Sequence, residues 1–199
     1  GTEVSFDRPV EKIATGNTAA LELLIRLGAA DKVVGTAWSD GAGALSADVR
    51  AQAEKVPSLG ARAADKEKLL QSGAQVYIDP YEGMTMMGIT GPTAADFQAA
   101  GMKRVVLRSS ACTASLTAPV TTLDGVMADI RSLAALVGRQ QEGEKLVESM
   151  RTEPVAADAI RPKVLYLTSA RNNDQASTIG NRQIGNAIIE LAGGTNIFR

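Results

Sequence analysis

Apolar and polar positions along the chain alternate between two patterns. Short apolar runs rich in β-branched residues occur at 13–15, 32–36, 56–59, 75–79 and 103–107, the fourth reading QVYID. Between them lie segments of helical period. Ala20, Leu21, Leu24, Ile25 and Leu27 make one broad apolar face, with Asn17 or Thr18 as cap and Gly28 as stop. A short helix over 46–54 precedes the third run. Asp65 caps a helix that passes through Leu69 and Leu70 to Gly73, and Pro92 or Thr93 opens another that contains Phe97 and ends at Gly101. Such alternation predicts βα units wound into a parallel sheet, with the QVYID strand buried on both faces.

After this block the pattern changes. Leu123, Val126, Met127, Ile130, Leu133 and Val137 repeat at helical spacing up to Gly138, and a more charged helix follows over 140–151. An Ala- and Pro-containing connector at 154–162 leads to a new strand at 163–168 (KVLYLT), a loop at 169–181, a helix carrying Ile184, Ile188, Ile189 and Leu191, and the ending AGGTNIFR. One βα unit cannot bury both faces of its strand, because a parallel sheet needs neighbours and covering helices. The expectation is an α/β lobe over 1–119, a helical segment over 120–161, and the start of a second α/β lobe, incomplete in this chain, over 162–199. The alternative is that the last βα unit joins the first sheet.

Composition narrows the chemistry. The 199 residues are 45% apolar and 22% charged, and 21 basic against 22 acidic side chains leave a formal charge of -1. No excess of positive charge is present to attract a nucleic-acid backbone or anionic lipid. Histidine is absent, which removes Ser-His-Asp and Cys-His catalysis, histidine-ligated zinc and an imidazole base. The single Cys112 is a buried thiol or half of a disulfide whose partner is absent here. No run approaches 18 apolar residues, and Glu3 and Asp7 do not suit a leader peptide, so an exported protein would have lost its targeting segment before Gly1.

In a parallel sheet the loops at the carboxyl ends of the strands emerge on one side, where ligands sit. Trp38, beside Ser39 and Asp40, lies in one of these loops as a wall for a flat or greasy ligand, or as an aromatic tucked against its own lobe. Tyr81 holds the corresponding place after the fourth strand, whereas Tyr77 and Tyr166 fall inside strands and read as core. Arg108 and Arg171 follow strands directly and suit an anionic, oxygen-rich ligand; solvated surface arginines are the bland reading. Met84, Met86 and Met87 among glycines form an adaptable apolar loop, or one of modest packing. Asn17, in TGNTAA, stands at a helix start that could hold an anion, but neither GxxxxGK[ST] nor GxGxxG is present. ELAGGTN is a helix-stop signal.

Taken in order, RPVEKIAT, NTAALELLIRLGAADKVVGTAW, VPSLG, QVYID, AGMKRVVL, LAALVGR, RPKVLYL and ELAGGTN resemble a substrate-binding protein of ABC importers, in the group that captures iron-siderophores, cobalamin or haem. The resemblance implies two Rossmann-like lobes with parallel sheets joined by a rigid helix, to which 140–151 contributes, and a shallow ligand cleft with little hinge closure. It implies binding without covalent chemistry, hence no enzyme and no resident cofactor or metal, in a monomer outside the cytoplasm, held to the membrane at most by a lipid anchor. The ligand expected is a ferric siderophore, with cobalamin or haem as alternatives. For haem, Tyr81 or a methionine of the 84–87 loop would be the axial ligand. An acidic residue near a helix start docks on the permease in that family, and Glu67 in ADKEKLL matches it. Two departures stand out: residues 146–165 are short for the connecting helix, and about the last third of a typical member has no counterpart. From a different class, an α/β enzyme or nucleotide-binding module remains open.

Overall fold

The structure, a computed structural model, describes residues 4–80, 91–109, 120–151, 160–170 and 176–198. Its elements in chain order are β1 (Ile13–Thr15), α1 (Thr18–Arg26), β2 (Val33–Ala37), α2 (Ala47–Ala53), β3 (Ser58–Gly60), α3 (Lys66–Gln71), β4 (Val76–Ile78), α4 (Ala94–Ala99), β5 (Lys103–Val105), α5 (Leu123–Val137) and α6 (Gln140–Ser149). Then follow β6 (Lys163–Val164), β7 (Leu167–Ala170), β8 (Ala176–Thr178), α7 (Ile184–Leu191) and β9 (Thr195–Asn196). Strands β1 to β5 make one parallel sheet in the order β3-β2-β1-β4-β5. The chain starts in the middle, winds out to one edge and returns to build the other, so the switch point lies between β1 and β4.

Alternation along the strands divides the core in two. Ile13, Val76 and Ile78 point into one cluster with Leu21, Leu24, Val49, Ile130, Leu133, Val137 and Val147, which places α1, α2, α5 and α6 over that face. Ala14 and Tyr77 point into the other with Leu59, Leu69, Phe97 and Met102, under α3 and α4. Tyr77 stacks on Phe97 with ring centroids 6.0 Å apart. The predicted caps resolve as Asn17, whose Oδ1 accepts the Ala20 N–H at 2.9 Å, Asp65, which accepts from Lys68, and Thr93, which forms a reciprocal capping box with Asp96. Gly138 ends α5 at a φ of 70°, a left-handed conformation that favours glycine. The helix expected to bridge the lobes includes α6, which packs on α5 through an Arg131 Nε to Glu144 Oε1 bond of 2.8 Å and contributes Val147 to the first core.

The carboxy-terminal segment departs from expectation in two places. The single strand foreseen over 163–168 is broken at Leu165 and Tyr166. Its halves join different sheets, β6 pairing parallel with β9 and β7 antiparallel with β8. The loop foreseen at 169–181 contains β8. Among the described residues neither pair joins the five-stranded sheet, so the last βα unit does not extend the first lobe. A strand with one short partner has little to hold it straight, which is why a continuous apolar run splits between two small sheets.

Candidate functional site

The carboxyl edge of the five-stranded sheet gathers Asn17 after β1, Trp38 after β2, Asp79 after β4 and Arg108 beyond β5. Tyr81, Met86 and Arg171, with Cys112, lie outside the described residues. Asn17 is committed to its cap on α1. At the switch point beside it β1 and the end of β4 approach closely: the Gly16 N–H donates to Ile78 O at 2.8 Å, and a methyl added at Gly16 would collide with Pro80 Cδ and Tyr77 Oη. Only glycine lets β1 and β4 close at this level.

Trp38 is half-buried and has a φ of 59°, the one non-glycine with positive φ among the described residues. Such a conformation costs about 1–3 kcal/mol and persists where its surroundings impose it. Here Thr18 Oγ1 and the Gly41 N–H both donate to Trp38 O, at 3.2 and 3.0 Å. The segment beyond is clamped by Arg50 Nη2, which donates to Gly43 O and Leu45 O at 2.8 Å each. Asp79 is buried at the end of β4, its carboxylate 3.8 Å from Arg104 Nη1. Arg50, Asp79 and Arg104 gave no signal in the sequence, because nothing in their spacing marks which loop a side chain will reach.

Arg108 opens onto a cavity of about 760 Å³. One wall is the first lobe, with Arg108, Ser109 and Val120; the other is the carboxy-terminal segment, with Pro162, Val164, Tyr166 and Ile179 and the α7 side chains Ile184, Ile188 and Ile189. The lining is largely aliphatic, and Arg108 from the first lobe and Tyr166 from the carboxy-terminal segment are among its few polar side chains. Tyr166 corrects the expectation of a core strand residue: it is 51% exposed and lines the cavity. A strand position reads as core only when a neighbouring strand or helix covers it, and none of the described elements covers Tyr166. Trp38 does not line this cavity. Three strand spacings separate β2 from β5, roughly 14 Å, so the shared rim brings Trp38 and Arg108 to the same side of the sheet without bringing them into one pocket. Among the described residues no group of three His, Cys, Asp or Glu could hold a metal ion.

No family model matches the sequence, and no curated protein matches it. Solved structures do match. A periplasmic binding protein of Veillonella parvula superposes with a TM-score of 0.80 at 18% identity over 98% of this chain. The fold is that of a periplasmic binding protein. An ABC-type Fe3+-hydroxamate transport protein of Saccharomonospora viridis superposes with a TM-score of 0.72 at 24% identity, covering 100% of this chain and 68% of its own. A periplasmic haem-binding protein of Vibrio cholerae gives 0.64 at 21% identity, covering 93% of this chain and 65% of its own. The present chain spans 63% of the length of the Veillonella periplasmic binding protein. Within this periplasmic-binding-protein fold Glu67 is exposed in the first turn of α3, beside Lys66, whose Nζ pairs with Asp96 Oδ2 of α4 at 2.8 Å. The ion pair links the helix that carries Glu67 to α4.

Proposed function

We propose that the protein is an extracytoplasmic solute-binding protein that captures a metal chelate, a ferric siderophore above all, and hands it to an ABC permease without covalent chemistry. The observation that carries the reading is the cavity of about 760 Å³, largely aliphatic, with Arg108 in its lining, in a chain with the periplasmic-binding-protein fold. A ferric chelate is bulky, apolar around its periphery and frequently anionic. Aliphatic walls take its body, and a guanidinium fork takes its oxygen-rich side. Cobalamin and haem are the alternatives of the same kind. Glu67 would meet basic residues of the permease, so Glu67→Lys abolishes uptake while leaving chelate binding intact.

Thermal shift with ferrichrome, ferric enterobactin, haemin, cyanocobalamin and ATP tests the reading. A chelate at 100 times its Kd stabilises the fold by about 2.7 kcal/mol, the iron-free form of the same siderophore does not, and Arg108→Ala weakens binding about tenfold. Stabilisation by ATP alone would replace transport with a nucleotide-binding module.

A further inference from the structure

We propose that one face of α5, formed by Gly125 and Asp129, positions the first-lobe wall of the cavity, and that Asp129 is a positioning residue for Arg108. The inference rests on the reading that the cavity holds a ligand. Leu107 is sunk in the first core, 3% exposed, and two residues later the Ser109 N–H donates to Asp129 Oδ2 at 2.6 Å. Arg108 therefore lies between two fixed points, exposed and lining the cavity. One turn before Asp129 on α5 is Gly125, over which lies Val120 of the same wall; a methyl added at Gly125 would stand 2.6 Å from Val120 Cγ1. Positions 125 and 129 are four apart and share a helix face, so two contacts fasten the wall to one post.

The post is itself held. Ile130, Leu133 and Val137 are buried, Thr122 caps the amino end of α5 by accepting the Gly125 N–H, and Leu136 O accepts the Val10 N–H at 2.8 Å. A carboxylate accepting a backbone N–H is among the stronger hydrogen bonds. Spent on Ser109, it holds the backbone next to Arg108 in place before an anionic ligand arrives, and lowering the ordering cost is how preorganisation raises affinity.

The bond between Arg108 and Ser109 is a trypsin site, which gives a readout independent of any ligand. In Asp129→Ala, cutting there accelerates about tenfold, whereas cutting after Arg26 in α1 keeps its rate. Asp129→Asn, which retains an acceptor oxygen, restores most of the protection. Affinity for ferric enterobactin or ferrichrome falls about tenfold in Asp129→Ala, and adding the same change to Arg108→Ala costs nothing more. Gly125→Ala, a change that by itself favours a helix, displaces Val120 and weakens the chelate without loosening the trypsin site. If Asp129→Ala does not fold, Asp129→Asn, whose neutral oxygen is the weaker acceptor, still loosens the cut and lowers the affinity in part. An unchanged Arg108–Ser109 cut overturns the tether, and a loosened cut with unchanged affinity overturns the positioning role. If no chelate binds the unaltered chain, the transport reading fails and the tether is judged on the trypsin rates alone.

Discussion

The first lobe and the carboxy-terminal segment are built from the same kinds of residue and meet different ends. In the first lobe, Ile13, Leu24, Val76 and Ile130 are fully buried, because β1 and β4 have strands on both sides and helices over both faces. In the segment at 160–198, Tyr166, Leu167, Ile188 and Phe198 are 51%, 56%, 54% and 47% exposed. Leu167, Ile188 and Phe198 are no less hydrophobic than the buried set. What they lack is neighbours: among the described residues β6 has only β9 beside it, β7 only β8, and a single helix packs nearby. Burial is therefore set by how many elements surround a side chain, and the cavity opens at the place where the two regimes meet.

The contrast can be broken most forcefully in the first core. Leu24→Ala removes a fully buried side chain beneath α1 and is expected to cost about 2–5 kcal/mol. Urea unfolding followed by the fluorescence of Trp38, the one tryptophan, measures it; a loss under about 1 kcal/mol would mean that the first lobe is as loosely built as the segment after it.

A smaller effect ties the helices of the second face to pH. Hydrogen bonds from Lys66 and from the Thr93 backbone and hydroxyl lower the Asp96 carboxyl to about 2. Since its folded value lies below its ordinary 3.8, the pair stabilises the fold above that ordinary value and its contribution disappears as pH falls toward 2. Acid titration of the unaltered chain should show a stability decline in this window that Asp96→Asn flattens. Identical profiles would remove the Lys66–Asp96 pair as a brace for the helix bearing Glu67.

Smallest of all is the change at the exposed face. Ile188→Ser on α7 should alter stability by no more than about 0.5 kcal/mol, by circular dichroism through a thermal ramp, while reducing the binding of an apolar fluorescent dye. A cost like that of Leu24→Ala would show that Ile188 is covered in solution and that the two regions do not differ as described.

The five strands, their intervening helices and the cap at Asp65 were legible because each rests on residues close in sequence: an apolar period, a side-chain oxygen three residues before an N–H, a glycine after the last turn. Asn17 and Thr93 were each one of two caps that the sequence offered, beside Thr18 and Pro92, and the structure takes them. The placement of Trp38 and Arg108 on one sheet edge followed from parallel winding alone. Illegible were the break at Leu165 and Tyr166, the β7–β8 hairpin, the reach of Arg50 and the tether from Asp129 to Ser109.

By itself the sequence determined the alternation of strand and helix, the doubly wound lobe and the residues at its rim, since local periodicity and chirality leave few other windings for such a pattern. Tertiary structure alone decided which rim residues share a cavity. Arg108 lines a cavity with Tyr166 rather than with Trp38, because strand order separates β2 from β5 and residues of the following segment line the cavity beyond β5. Distances across a sheet depend on which strands become neighbours, a property of the whole fold that is not carried by any short stretch of chain.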